Sequence, residues 1–528
     1  MKKNNLWLGV SLLMLVALVL PSCAPKAVTP TTIAPPPTEV TIAEVTPTAP
    51  KPEGTVTIGI DSAYEESFLP WFGGAQSMIW EQVYDYLIYT KLDGTYVGGL
   101  AERWEVSPDA TSVTLWLRKG IQFHEGYGEV TTADVKYTLD RIMGEDSANT
   151  RATALRDGID NMELVDSYTI IFHLKKADPV FWLLFTDLTG YSLPIVCKAY
   201  VEKVGDEVAM NKPIGTGPFI LVDHKFGDYL TFEAVPDHWR VVPEFQYLTL
   251  KIIPEASTAT AMLSTGAVDA ITVNAGDIPN LEAAGFKTFT VPGGEWVYLV
   301  FGGMVDPSDK RYVEGYSQQD PWKDVKVREA MNIAIDRQAI IDVVYFGSGY
   351  PIANAIACPT GACMNLAPIP YDPEKAKQLL AEAGYPDGFS FNVISYPRDP
   401  EVPTLMEAVV GYWEAIGLKP KIVMGDYATF KGENFPNGKT AGMIFQRSTG
   451  FRPENTPSML NSFYIDGTTP MYQDPALQAL LEAVVHETDW AKRSAAWDAV
   501  GKYSRDNYIA HIPHLKAVFI VVFNGFGA

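Results

Sequence analysis

Chemistry in this chain would have to come from its cysteines, histidines, paired carboxylates or arginines. The 528 residues hold four cysteines and seven histidines. Cys358 and Cys363 flank Pro359-Thr360-Gly361-Ala362. A metal pair wants a second pair or neighbouring histidines, and none is close in sequence. A short disulfide closing a loop is the stronger reading outside the cytoplasm, ahead of Cys–His catalysis. Cys197 stands alone and reads as a buried structural thiol. The histidines are scattered, and only His511 and His514 are closely spaced, at a strand. No Gly-x-Ser-x-Gly turn and no His-Glu-x-x-His helix occurs. The glycine-rich run Pro213-Ile214-Gly215-Thr216-Gly217-Pro218-Phe219 lacks the Gly-Lys-Ser/Thr of a phosphate cradle and reads as a rigid turn feeding a strand. The expectation is no catalytic residue, no metal and no cofactor.

The elements that would position any site are well marked. In Leu100–Ile142, Val113, Leu115 and Leu117 alternate with Thr114 and Trp116 as in a half-buried strand. A turn follows at Gly126-Tyr127-Gly128, and Thr131 with Asp134 opens a helix as a capping box. Met78 to Tyr89 reads as a helix. Tyr168–Leu174 alternates as a strand, and Asp178-Pro179 opens a helix through Phe185. Lys287–Val291 and Val297–Phe301 read as two strands, with Gly293-Gly294 a crossing point between lobes. Asp324, Asp336, Asp372, Asp474 and Asp489 each cap a helix, two of them followed by proline at the first helical position. Strands at 389–394 and 421–424 flank a helix at 403–416, an α/β arrangement with a partly parallel sheet. Ala510–Pro513 and Ala517–Phe523 read as separate final strands.

Bulk composition narrows the class. With 47% hydrophobic residues the chain can fill two or three lobes. Forty-one basic residues against 63 acidic ones give −22, which speaks against a nucleic-acid or anionic-membrane surface. At the start, Lys2 and Lys3 precede the apolar run Leu6–Leu20, too short for a comfortable span and typical of an export signal over 1–22. Leu20-Pro21-Ser22-Cys23 resembles the bacterial lipobox, which implies lipidation of Cys23; ordinary secretion with an incidental cysteine is the alternative. Residues 23–53, rich in proline and threonine, read as a tether of roughly 3 Å per residue where extended.

Several landmarks occur in one order. They are Leu100-Ala101-x-x-Trp104, Leu117-Arg118-x-Gly120-x-x-Phe123-His124-x-Gly126, Thr132-Ala133-Asp134-Val135, the Pro213–Phe219 run and Leu263-x-x-Gly266-x-x-Asp269. Asp324-Val325-x-Val327-Arg328-x-Ala330, Asp336-Arg337 and Tyr371-Asp372-Pro373-x-Lys375-Ala376 complete the series. Over nearly all of the chain after Gly54 this resembles family 5 of the extracytoplasmic solute-binding proteins of ABC importers, the dipeptide-, oligopeptide- and nickel-binding type. The resemblance implies a periplasmic-binding-protein-like α/β fold (type II, cluster C-like): two lobes joined by a two-strand hinge, with a third small domain inserted in the first. Lobe I would comprise 54–90, 208–290 and 512–528, the inserted domain 91–207, and lobe III 291–511.

The same resemblance puts a ligand between the lobes. It implies contacts from Trp71; from Glu295, Trp296 and Tyr298; from Tyr396 and Arg398; and from Gln446, Arg447, Ser448, Phe451 and Arg452. Trp104, Arg118, His124 and Asp134 would be scaffold. Peptide-binding members often carry an acid near 446–452 for the peptide amine. Here GMIFQRSTGFRPEN has two arginines and no acid before Glu454. Arginine suits a carboxylate or phosphate, so a peptide-like, anionic or sugar ligand is open, and a nickel site is not supported. The implied partners are a small-molecule or short-peptide ligand, an ABC permease and ATPase, and a membrane reached through the lipid anchor, with the protein a monomer on the outer side. A sensory binding protein and a secreted hydrolase are the alternatives.

Overall fold

Two long strands, Lys287–Gly302 and Ala510–Val522, run antiparallel and join the two halves of one large sheet. The computed structural model describes residues 51–522 apart from 64–65, 74–76, 92–94, 150, 188–192, 274, 315–320, 354–365, 397–400, 427–428, 431–433, 450–461 and 466–469. At 77, 275, 290–296, 447–449, 490 and 510–522 it describes the backbone alone. On one side of the long pair, Ala270–Val273 lies antiparallel to the last strand. Thr55–Ile60 and Tyr247–Ile252 follow in parallel, and the hairpin of Tyr229–Ala234 and Phe219–Lys225 ends the sheet. On the other side, Gly442–Thr449 pairs antiparallel with Lys287–Gly302, and Ser390–Ser395 and Lys419–Met424 continue in parallel. The helix Val402–Ala415 is the crossover that such parallel neighbours require.

The expected pairs of strands at 287–301 and at 510–523 are each a single strand with a break in register. Val291 faces Val518 and Glu295 faces Lys516, so residues 292–294 oppose Ala517 alone. Pro292 has no N–H to pair, and the two glycines let the strand bend there. Farther along, Leu299 faces His511 and Val297 faces His514, so Ile512 and Pro513 oppose Tyr298 alone. Pro513 sits in that bulge, where the ladder does not need its missing donor.

Residues 101–174 build a separate four-stranded antiparallel sheet in the order Ala101–Val106, Ser112–Leu117, Thr169–Leu174, Ile159–Leu164. Val113, Leu115 and Leu117 are buried as their alternation requires. The helix Thr132–Ile142 opens with the Thr131–Asp134 capping box. The Asp178–Phe185 helix is a correction: only Phe181–Phe185 winds, as a 3-10 turn. The Asp178 carboxylate accepts from the Val180 N–H, a local turn, and four of the five residues that follow are buried, so no helical stripe is left to face water.

The helix expected over 78–89 stops at Val83. The Val83 carbonyl accepts from the Gly217 N–H instead of continuing the helix. Gly215 and Gly217 make that approach possible: a Cβ on Gly215 would lie 2.0 Å from the Val83 oxygen. The turn brings Asp85 into the interior with no exposed side chain. Its Oδ1 accepts from Tyr89 Oη at 2.7 Å and Arg240 Nη2 at 3.0 Å. Its Oδ2 accepts from Trp239 Nε1 at 2.8 Å, Thr216 Oγ1 at 3.0 Å and His238 Nε2 at 3.2 Å. Burial alone would raise this carboxyl, but the His238 hydrogen bond and the charges of His238 and Arg240 outweigh it and hold it below the usual range.

Two large cores result. One runs from Val56 to Leu250 and includes the four-stranded sheet, so 101–174 share a core with Thr55–Ile60 and Tyr247–Ile252. The other runs from Val297 to Ile509. The five helix-capping aspartates all accept backbone N–H groups, at Lys326, Ala339, Lys375, Leu477 and Lys492.

Candidate functional site

The ladder around residue 296 brings two of the sequence-predicted segments together. Glu295 faces Thr449, Trp296 faces Ser448, Val297 faces Arg447 and Tyr298 faces Gln446. Strand neighbours in register share a face. Trp296 and Tyr298 therefore lie on one face with Ser448 and Gln446, while Glu295 and Arg447 lie on the other. This ladder abuts the break at 292–294, where the chain passes from one half of the sheet to the other. Tyr298 is buried, and burial pushes its phenol well above the usual value. Gln446 is half-buried, and its Nε2 donates to the Phe445 carbonyl at 2.8 Å.

Tyr396 joins the same region from the third strand. Val393 and Ile394 pair in parallel with Met443 and Ile444, which carries the chain to Tyr396 beside Phe445. The rings meet edge-on with centroids 5.4 Å apart. Just before it, Ser395 is fully buried, and its hydroxyl has no hydrogen-bond partner among the described residues. Arg398, Phe451 and Arg452 lie outside the described residues, as do Cys23, Cys358 and Cys363.

Trp71 stands in the other core. Its indole Nε1 donates to Asp206 Oδ2 at 3.3 Å, and the Arg141 guanidinium lies 4.1 Å over its ring. Tyr137 meets it edge-on at 6.2 Å, and Arg141 also forms a two-pronged ion pair with Asp206. Its ring and N–H are thus committed to the protein's own groups, and it fastens its loop to the helix Thr132–Ile142. Trp104, Arg118, His124 and Asp134 also have structural partners. Arg118 Nε donates to the Gly99 carbonyl, and His124 Nε2 lies 2.9 Å from the Gly217 carbonyl. Asp134 accepts from the Thr131 and Lys198 N–H groups, and Trp104 packs on Trp182.

Sequence reasoning missed the contribution of the last strand. Lys516 faces Glu295, Leu515 faces Trp296 and His514 faces Val297, so that strand belongs to the same ladder. Gly349–Pro351 flanks it on the other edge. No local signal marks this, because the partners are more than 200 residues apart. Among the described residues no group of three or more His, Cys, Asp or Glu converges as metal ligands. Cys197 is a buried free thiol, pushed up to about 11 by burial.

A sheet whose two halves are joined by two long antiparallel strands is the frame of a two-lobed protein with a two-strand hinge. Residues 95–470 match the bacterial extracellular solute-binding proteins, family 5. The chain is 29% identical to heme-binding protein A of Haemophilus influenzae, over 78% of each chain. It is 30% identical to the glutathione-binding protein GsiB of Salmonella choleraesuis, over 62% of this chain and 60% of that one, under two thirds of that relative's length. Its fold superposes on HbpA2 of Haemophilus parasuis with a TM-score of 0.74, at 24% identity, over 89% of this chain and 96% of that chain. The chain belongs to family 5 of the bacterial extracellular solute-binding proteins, the non-enzymatic substrate-binding components of ABC importers, and has their two-lobed α/β fold with a two-strand hinge. No helix among the described residues is long and apolar enough to cross a membrane.

Proposed function

We propose that this protein is a lipid-anchored receptor that captures a peptide-like solute, anionic or sugar-like ligands being the alternatives, and delivers it to a membrane permease. Cys23 carries the lipid, and residues 24–53 are the tether. Lobe I comprises 54–90, 208–290 and 512–528, with 91–207 inserted in it, and lobe III comprises 291–511. The ligand sits at the hinge against Trp296, Tyr298, Tyr396, Gln446 and Ser448, and its binding closes the jaw because only the closed form touches it on both sides. The observation that carries the reading is the in-register meeting of 295–298 with 446–449 beside the break in the hinge strand. The peptide-like class draws support from the relative named for binding glutathione.

The test is native mass spectrometry of the purified chain, followed by a thermal-shift screen of peptides and sugars. One solute is expected to bind, to be recovered unchanged and to raise the melting temperature; at a hundred-fold excess over Kd the gain is about 2.7 kcal/mol. Recovery of a chemically altered product would overturn the reading in favour of a hydrolase. For the anchor, Cys23→Ala is expected to move the protein from the membrane fraction to the soluble one.

A further inference from the structure

At one level the large sheet narrows to its two long strands. Along one edge of the last strand, Val273 faces Phe519 and Gly349 faces Lys516, so neither of these neighbouring strands reaches Ala517 and Val518. Across from those two residues stand Val291 and the break at 292–294. On the far side, Gly442–Thr449 pairs with the other long strand only from Glu295 onward. Among the described residues, two strands therefore carry the crossing, and rotation of one half against the other concentrates in this neck.

Beside the neck, in the notch between Val273 and Gly349, one group from each half meets the other. Gly276 lies in the 3-10 turn Ala275–Asp277, just after the strand Ala270–Val273. Phe346 lies in the turn between the helix Arg337–Val344 and the strand Gly349–Pro351. The ring is so close that a Cβ on Gly276 would lie 3.0 Å from its Cε2, 3.4 Å from Cζ and 3.7 Å from Cδ2. The φ of Gly276 is outside the left-handed region, so its backbone accepts a side chain; the ring is what leaves no room for one.

Each partner is held by its own half. The turn at Gly276 runs straight into the helix Ile278–Ala283, whose Leu281 is buried with Val268 and Ile271 in a small third core. The turn at Phe346 is tied to the helix before it: the Tyr345 and Gly347 N–H groups both donate to the Ile341 carbonyl at 3.0 Å, and the Ser348 N–H donates to the Tyr345 carbonyl at 2.8 Å. Tyr345 is buried in the second core, whereas Phe346 is 53% exposed and stands outside both large cores. Its φ of 51° is a left-handed conformation that a bulky residue rarely adopts. The packing of its own half gives no reason for an aromatic ring held in that conformation, and the contact with Gly276 supplies one.

We propose that Phe346 and Gly276 form a mechanical stop beside the hinge, which sets the resting angle of the lobes by limiting rotation in the sense that brings the two residues together. The stop acts whatever the solute. By setting the resting angle it sets the fraction of molecules in the grasping form, and apparent affinity scales with that fraction.

The test is a pulsed electron paramagnetic resonance distance measurement on the whole chain without added solute. Spin labels are attached through p-acetylphenylalanine at the exposed positions of Lys225 and Lys502, one in each lobe, which leaves the native cysteines unlabelled. Lys225 lies five strands from the last strand, about 24 Å, so a small movement at the stop is enlarged at the label. Phe346→Ala removes a van der Waals contact of about 3.5–4.0 Å and is expected to shift the mean distance by about 3 Å or more. Gly276→Val is expected to shift it in the opposite direction, and Gly276→Ala less far in that same direction. The double variant Gly276→Val with Phe346→Ala should return towards the wild-type distance, because valine fills the space the ring leaves. Val165→Ala, at an exposed position far along the chain from the hinge, should change nothing, and unaltered melting temperatures show that the variants are folded. Unchanged distances in the single variants, shifts in the same direction, or a double variant no nearer wild type than its parents overturns the proposal. Each of those results leaves the solute-binding reading intact.

Discussion

Replacing Asp85 by alanine should be among the most damaging single changes in the first core. The carboxylate has no exposed surface, and His238 beside it is 1% exposed. Alanine leaves the Trp239 indole N–H and the Thr216 and Tyr89 hydroxyls without their acceptor, leaves the His238 ring with the Thr216 carbonyl alone at Nε2, and removes the carboxylate that pairs with Arg240. Breaking a buried charged network by removing one partner costs about 3–5 kcal/mol. With about 2–4 °C of melting temperature per kcal/mol in a domain of this size, the expected drop is roughly 6–20 °C. Differential scanning calorimetry at neutral pH measures it. The sign with pH is fixed by the depressed carboxyl. Its stabilisation is present above the unfolded value of about 3.9 and is lost only as pH falls through the lower folded value. The gap between wild type and Asp85→Asn should thus stay level from about pH 5 to about pH 8 and close in strong acid. A drop of less than about 2 °C for Asp85→Ala, or a gap that closes near neutrality, would refute the reasoning.

Glu81 should behave in the opposite sense. Burial, and then the nearby Asp187, push its carboxyl up to about 7. A raised carboxyl favours the folded state while protonated, so wild type loses stability as pH rises from the ordinary carboxylate range towards 7. Glu81→Gln should melt higher than wild type at about pH 8 and nearly level with it at about pH 4.5, which thermal melts across that range would show. Gly215→Ala, whose methyl would collide with the Val83 carbonyl, should cost about 2–4 kcal/mol in urea unfolding. Cys197, buried and held protonated, should resist iodoacetamide in the native protein and react once it is unfolded, as peptide mass mapping would reveal.

Local signals in the sequence were sufficient for many of the elements that are decided locally, the Asp178 turn being an exception. The aspartates at 324, 336, 372, 474 and 489 announce helices because a short carboxylate can reach the free N–H groups of the first turn, and each does so. The alternation of Val113, Leu115 and Leu117 gives the strand and its buried face. Where distant groups decide, sequence reading stops short. Nothing near Met78–Tyr89 shows that Gly217 will take the Val83 carbonyl and end the helix. Asp85 looks like any acid until residues 216 and 238–240 converge on it. Trp71 reads as a loop aromatic, yet Arg141 and Asp206 occupy it. At the candidate site the facing of 295–298 with 446–449 is a long-range register, visible only once the sheet is assembled. The resemblance pointed to those two segments, and the final strand pairs beside them.

The position of that final strand also sets the order in which the protein can be completed. Each large core is drawn from one uninterrupted span of sequence, Val56–Leu250 and Val297–Ile509, so each can collapse as its own span emerges. The sheet cannot close then. Ala270–Val273 and Lys287–Gly302 both wait for the thirteen residues of Ala510–Val522, more than 200 residues farther along the chain. Until it arrives, two strand edges stand open to pairing with any other extended chain. A single late insertion then seals both edges and creates the hinge in the same step. A chain that has not yet added this strand therefore lacks its hinge and is most exposed to aggregation, and the two conditions end together.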